Sequence, residues 1–245
     1  MNLLQVGLFT TLFVSAPVFA TTLEFQGKAT GENGQELYTE HHQSTGECTG
    51  GLFRPGEHQV DYRKPGNDDV FASKRLMFPG SALRPAVTFT QPDFDEKLTI
   101  EYPGENRAAI KWRDLSGSQK DYSVTFDQRL VVDSGFDHLI RAEWDKLRDG
   151  QQVKFRFLGP TRGEHYGFVA EAVANTDITA DLVVKLRPTG IFLSMLVDPI
   201  VLGYNSRGAL TDYQGMTNIR KDEDTNHTAH IRYQVTRYPD CPLVP

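Results

Sequence analysis

One stretch of this sequence, DSGFDHLIRAEWDKLRDG from Asp133 to Gly150, has the periodicity of an amphipathic helix, and nearly everything else alternates with period two. That contrast confines the fold. Phe136, Leu139, Ile140, Trp144 and Leu147 recur at threes and fours and form one broad apolar stripe, while Arg141, Asp145, Lys146 and Arg148 fall mostly off it. Ser134 stands in N-cap position, Asp137 three residues on completes a capping box, and Gly150 occupies the place of a left-handed C-cap. A helix with such a stripe must be covered, and the only covering surface on offer is the apolar face of a sheet. The expected fold class is therefore mainly β: a curved antiparallel sheet or open barrel wrapped around one central helix.

The alternating segments come in chain order. Leu23, Phe25, Gly27 and Ala29 make a first strand, GENG from Gly31 to Gly34 turns it, and Glu36 to Gln43 returns. A polar, glycine-rich loop is expected from Ser44 to Gly51, carrying Cys48. His58 to Arg63 and Val70 to Phe78 follow, with Lys74 interrupting the apolar face of the second and expected to snorkel to the rim. Val87 and Phe89, then Leu98 to Tyr102, Ala108 to Trp112 and Tyr122 to Phe126 continue the pattern between turn clusters. The short turns require antiparallel neighbours, because parallel strands would need crossovers that the sequence lacks. After the helix come Val153 to Phe157, Tyr166 to Ala174, Leu182 to Leu186, Leu210 to Met216 and Ala229 to Val235.

The first twenty residues, MNLLQVGLFTTLFVSAPVFA, read as a secretory signal with cleavage after Ala20, which leaves 21–245 as a single β-rich domain. No later run is long enough to span a bilayer. The expected address is the periplasm. The two cysteines, Cys48 and Cys241, are then most simply one disulfide, worth roughly 4 to 5 kcal/mol on the chain-entropy argument for a loop of that length. No C-x-x-C spacing marks a redox role. A net charge of −6 with scattered Lys and Arg argues against nucleic acid as partner.

No motif announces a reaction. G-x-S-x-G, H-E-x-x-H and phosphate-binding glycine loops are missing, and no catalytic residue, metal site or cofactor is assigned. His41 and His42 are neighbours on a strand, so only one faces any given site, and His227 and His230 likewise fall on opposite faces. These are expected to be surface or rim histidines. The many carboxylates read as a solvated face.

The stretch from Thr189 to Leu202, TGIFLSMLVDPIVL, is almost continuously apolar and admits two readings: a buried strand or short helix under the core, or an apolar flap lining a ligand cavity. A sheet with this much Phe, Tyr, Leu and Val on one face has enough to cover the helix and leave some over. The expected cavity lining is Phe136, Ile140, Trp144, Phe155, Phe157, Phe168, Phe192 and Leu196.

The closing segment carries a resemblance. Asp198-Pro199, Leu202, Tyr204, Leu210, the run Tyr213 to Ile219 and His230-Ile231-Arg232-Tyr233 resemble the final hairpin of the periplasmic lipoprotein-carrier (LolA/LolB-like) superfamily and of related uncharacterised periplasmic families. That likeness covers about forty C-terminal residues and implies an open barrel holding acyl chains under helical lids. The leading expectation is thus a soluble periplasmic protein that binds a hydrophobic or acylated ligand, in envelope lipid or lipoprotein handling. Two other classes stay open: an envelope assembly or scaffold protein that holds a protein partner by sheet edges or an apolar patch, and a periplasmic hydrolase.

Overall fold

The computed structural model describes residues 20–126, 129–174, 177–190 and 198–245. Before the helical stretch lie β1 (Ala20–Thr30), β2 (Glu36–Thr49), β3 (Leu52–Arg63), β4 (Val70–Met77), β5 (Ala86–Gln91), β6 (Glu96–Gly104), β7 (Arg107–Arg113), β8 (Gln119–Thr125) and the two-residue β9 (Leu130–Val131). Two short helices follow, α1 (Gly135–Ala142) and α2 (Trp144–Arg148). The chain then adds β10 (Val153–Gly159), β11 (Glu164–Ala172), β12 (Leu182–Pro188), β13 (Ile200–Tyr204), β14 (Leu210–Arg220) and β15 (Asn226–Arg237).

All fifteen strands belong to one sheet. Each pairs antiparallel with its chain neighbour except β9, which lies parallel to β10, and the first strand pairs with the last, Gly27 opposite Tyr233. The sheet is not closed, since its edges β8 and β9 do not pair. It is nevertheless strongly curved. The Gln91 amide at the end of β5 grips the backbone of Arg220 on β14 from both sides (3.0 and 3.4 Å), although six steps of the sheet separate those strands. Arg220 also reaches Glu96 on β6 at 3.0 Å, and Trp112 donates its indole N–H to the same carboxylate at 3.0 Å. Tyr122 on edge strand β8 donates to Thr161 O, between β10 and β11, at 3.3 Å. The sheet thus curls until its two edges meet.

Curling produces two main apolar clusters. One gathers inward residues of β2 to β8 with those of β14 and β15, including Tyr62, Leu76, Phe89, Ile100, Ile110 and Ile231. The other packs Leu139, Ile140, Trp144 and Leu147 of the helices against Phe155, Val184, Leu202, Tyr204 and Leu210. Leu130 and Val132 belong to the first cluster and Val131 to the second, so β9 has apolar contacts on both sides, as parallel strands require. The helical segment accordingly sits on the inner, concave side, as the stripe demanded.

Four expectations need correction. The single helix is broken at Glu143, whose backbone leaves helical geometry (φ −109°, ψ 21°) and whose carboxylate reaches Arg129 and Lys146, both at 2.7 Å. Ser134 does not cap α1 with its side chain; the Asp133 carboxylate takes the Ser134 N–H, and Asp137 turns instead to Arg141 at 2.7 Å. Ser44–Gly51 is not a loop: β2 runs on to Thr49, because β1 starts early enough to pair with it and Gly46 lets Arg54 O approach, where a Cβ would lie 2.0 Å from that oxygen. Lys74 does not snorkel but stays inside, as described below. Of the stretch 189–202, Ile200 to Leu202 open a strand that runs to Tyr204, with Ile200 and Val201 half-buried and Leu202 buried, and residues 191–197 lie outside the described residues.

Cys48 and Cys241 form the expected disulfide. Beyond it the tail is pinned by Phe53 N–H to Pro242 O (2.9 Å), and Leu243 packs with Leu23, Phe25 and Phe53 in a third, smaller cluster. The bond spans 193 residues and constrains the unfolded chain. Reduction, or Cys241→Ser, is expected to lower unfolding free energy by about 2–5 kcal/mol; denaturant midpoints with and without reductant measure it, and coincident curves refute it.

Candidate functional site

The concave interior carries more than apolar wall. Parity on β2 sends Tyr38, Glu40 and His42 inward and His41 outward, and β3 adds His58 and Tyr62. Glu40 is the centre. Its Oε2 accepts from Tyr233 Oη and from His42 Nε2, each at 2.8 Å, and His42 Nδ1 meets His58 Nε2 at 3.0 Å. Tyr233 can lie over the sheet here because its cross-strand partner is Gly27, where a Cβ would sit 2.5 Å from the ring. Phe25 stacks on His42 at 4.2 Å. With Nε2–H serving Glu40, His42 offers Nδ1 as acceptor to His58, a fixed chain of two imidazoles on one carboxylate.

Two ion pairs extend this polar column towards the helices. Lys74 Nζ on β4 donates to both oxygens of Asp133 (2.9 and 3.0 Å). Asp133 turns the chain into α1 with a positive φ of 48°, a conformation aspartate tolerates because its side chain bonds locally. Arg141 pairs with Asp137 and donates Nε to Gly208 O at 2.9 Å. Burial first, then the Glu40 carboxylate, pushes the Tyr38, Tyr62, Tyr213 and Tyr233 hydroxyls upward, so all four remain protonated donors. Burial holds Asp137 above the usual carboxylate range despite Arg141. It drives His58 well down and His138 to about 3. Of the histidines expected at the surface or rim, His42 instead points inside, where it meets His58, and the signal available in sequence was its inward parity beside Glu40.

Ser44, opposite His58 on the neighbouring strand, directs its hydroxyl to Glu57 O at 3.4 Å. Among the described residues no group of three or more His, Cys, Asp or Glu is placed to hold a metal ion, and no helix is long and apolar enough to cross a membrane.

The predicted lining residues divide. Ile140, Trp144 and Phe155 are sealed in the helix cluster, at 0, 4 and 5 % exposure. Phe136, Phe157 and Phe168 pack at the fringe of that same cluster and are only half-buried, as are Tyr213 and Tyr233. Phe155, Phe157 and Phe168 form a triangle of rings with centroids 5.8 to 6.4 Å apart, and Phe136 lies 6.4 Å from Tyr213. Phe192 and Leu196 lie outside the described residues. The described residues form open clefts, two of which bear on this region. One of about 280 Å³ is lined by Arg129, Lys154, Arg156, Gly167 and Thr189 together with Phe155 and Phe168. The other, about 300 Å³, is bordered by Asp212, Arg232 and Tyr233.

No family model matches the sequence, and no curated protein matches it. Among solved structures the chain is similar to a β-barrel-like protein of domain of unknown function DUF1849 from Brucella abortus, at 7 % identity and a TM-score of 0.38, over 91 % of this chain and 96 % of that one. No residue role passes from that likeness.

Two outcomes are expected. The unfolded chain binds protons at its histidines below about pH 6.5 while folded His58 and His138 stay neutral, so stability falls with pH by up to about 1.4 kcal/mol per unit for each. Asp137, raised by burial, opposes this only nearer the carboxylate range. Urea midpoints at about pH 7 and pH 5 measure the loss, and equal midpoints refute it. Lys74→Met leaves Asp133 without its cation and should cost about 3 kcal/mol. Adding Asp133→Asn should recover much of that; no recovery means the pair is not the cause.

Proposed function

We propose that the concave interior binds an apolar or acylated ligand, with α1 and α2 closing one end as a helical plug, and that no covalent chemistry is involved. The half-exposure of inward-pointing Phe136, Phe157 and Phe168 carries this reading. Their neighbours Ile140, Trp144 and Phe155 are sealed in the same cluster, so the wall is filled behind these rings and unfilled in front of them.

The compartment proposed is the periplasm, entered by a signal peptide cleaved after Ala20, and the role is envelope lipid or lipoprotein handling. The disulfide fits an oxidising compartment. The curved sheet around short helices supports the likeness to lipoprotein carriers at the level of architecture. No observation favours the scaffold reading as strongly: the large exposed hydrophobics among the described residues, Val70, Met77 and Met216, are scattered over β4 and β14 and form no single patch.

A fluorescent monoacylglycerol titrated into delipidated protein should bind saturably with one site. Phe157→Glu and Phe168→Glu should each weaken binding by about 10- to 100-fold, the value of one buried aromatic side chain, while Met216→Glu leaves it unchanged. Absence of saturable uptake, with native mass spectra of freshly purified protein showing polypeptide alone, overturns the reading.

A further inference from the structure

We propose that the polar column around Glu40 is the head-group subsite of this interior, and that it selects an amphiphile whose head donates hydrogen bonds and carries no negative charge. The inference rests on the ligand-binding reading above and adds to it the chemical class of the ligand.

Glu40 points inward from the middle of β2, yet its side chain keeps 6 % exposure and that of its partner His42 keeps 10 %. Asp133, across the column, keeps 19 %. Glu40 itself is buried, whereas His42 and Asp133 on either side of it are not sealed, so the column borders open space at those two groups.

The hydrogen-bond chemistry of that space is one-sided. The carboxylates along the column are Glu40, Asp133 and Asp137, and the cations are Lys74 and Arg141. Both cations are already committed: Lys74 to both oxygens of Asp133, and Arg141 to Asp137 and to Gly208 O. An anionic head would meet a surplus of carboxylate and, along the column, two cations already paired, at a desolvation cost that neutral tyrosine hydroxyls offset only in part. A head bearing hydroxyls or an amine meets acceptors, because a carboxylate has about four lone-pair sites and Glu40 receives two donors here, both on Oε2. The tyrosine rings around it favour the same partner, since their faces attract cations. A second observation is independent of the charges: the Tyr38 hydroxyl, on a side chain 1 % exposed, has only Thr217 beside it and makes no well-formed hydrogen bond among the described residues. A buried hydroxyl left that way is destabilising by about 1 to 3 kcal/mol, and a bound polar group supplies what it lacks.

The test uses the mature chain loaded with the fluorescent monoacylglycerol and measures displacement by three amphiphiles of equal chain length, dodecylamine, monododecanoylglycerol and dodecanoate, each below its micellar concentration. The amine and the glycerol ester should displace the probe at concentrations at least about tenfold lower than dodecanoate, the size of one charge-assisted hydrogen bond. Glu40→Gln should bring the amine to within about threefold of dodecanoate, whereas Phe157→Ala should weaken all three together by about tenfold or more. If dodecanoate displaces as well as or better than the other two, the head-group assignment is overturned and the carrier reading stands. If neither the probe nor any of the three binds, both fall. Should Glu40→Gln fail to fold, the ranking on the unaltered chain decides.

Discussion

The structure depends on the pairing of the first strand with the last. β2 to β8 extend from one side of that pair and β14 to β9 from the other, so the ladder from Glu24 opposite Arg237 to Thr30 opposite His230 is what makes one sheet out of two halves. Such a contact is entropically expensive, because nearly the whole chain lies in the loop it closes. The Cys48–Cys241 bond acts on that cost. It ties the end of β2 to the tail beyond β15, adjacent to the seam, and removes open conformations from the unfolded ensemble.

Once the seam is made, twist does the rest. A fifteen-stranded sheet cannot remain flat, and curling brings β5 and β6 against β14 and β8 against the β10–β11 turn. Tyr213 and Tyr233 sit where the two main apolar clusters meet and contact both. Each also lies in the polar column. The interior is therefore not a uniform hydrocarbon surface: an aromatic fringe backed by the helices grades into hydroxyls, imidazoles and paired charges. Polar groups of this kind cost free energy to bury even when bonded, and an apolar core of the same volume would serve stability as well or better. Their retention across the inner faces of β2, β3, β4 and β15 is the physical reason to read the interior as a recognition surface, with an apolar portion and a polar portion side by side.

Much of this was legible in the residues. Alternation marked the strands and their antiparallel order, the stripe from Phe136 to Leu147 required an inner position for the helical segment, and two cysteines past an apolar leader implied their bond. Of the predicted lining, Phe136, Phe157 and Phe168 stand at the inner surface while Ile140, Trp144 and Phe155 lie packed behind them. Periodicity identifies a face, and it cannot distinguish the front of a wall from its backing, because that depends on how strands many positions apart approach each other.

The misread polar side chains share one physical cause. Lys74 looked like an interruption to be carried to the rim, Asp137 like half of a capping box, and the histidines like surface groups, because a lone polar residue on an apolar face is costly until its partner is known. The partners are 59 positions away for Lys74 and Asp133, 16 for His42 and His58, and 193 for Glu40 and Tyr233. The sequence by itself determined the strands, their facing and the place of the helical stripe, all of which follow from the near-neighbour geometry of a pleated or coiled backbone. Only the tertiary structure decided which polar side chains are inside together, because a hydrogen bond requires two groups within about 3 Å, and only the curl of the sheet brings such distant positions that close.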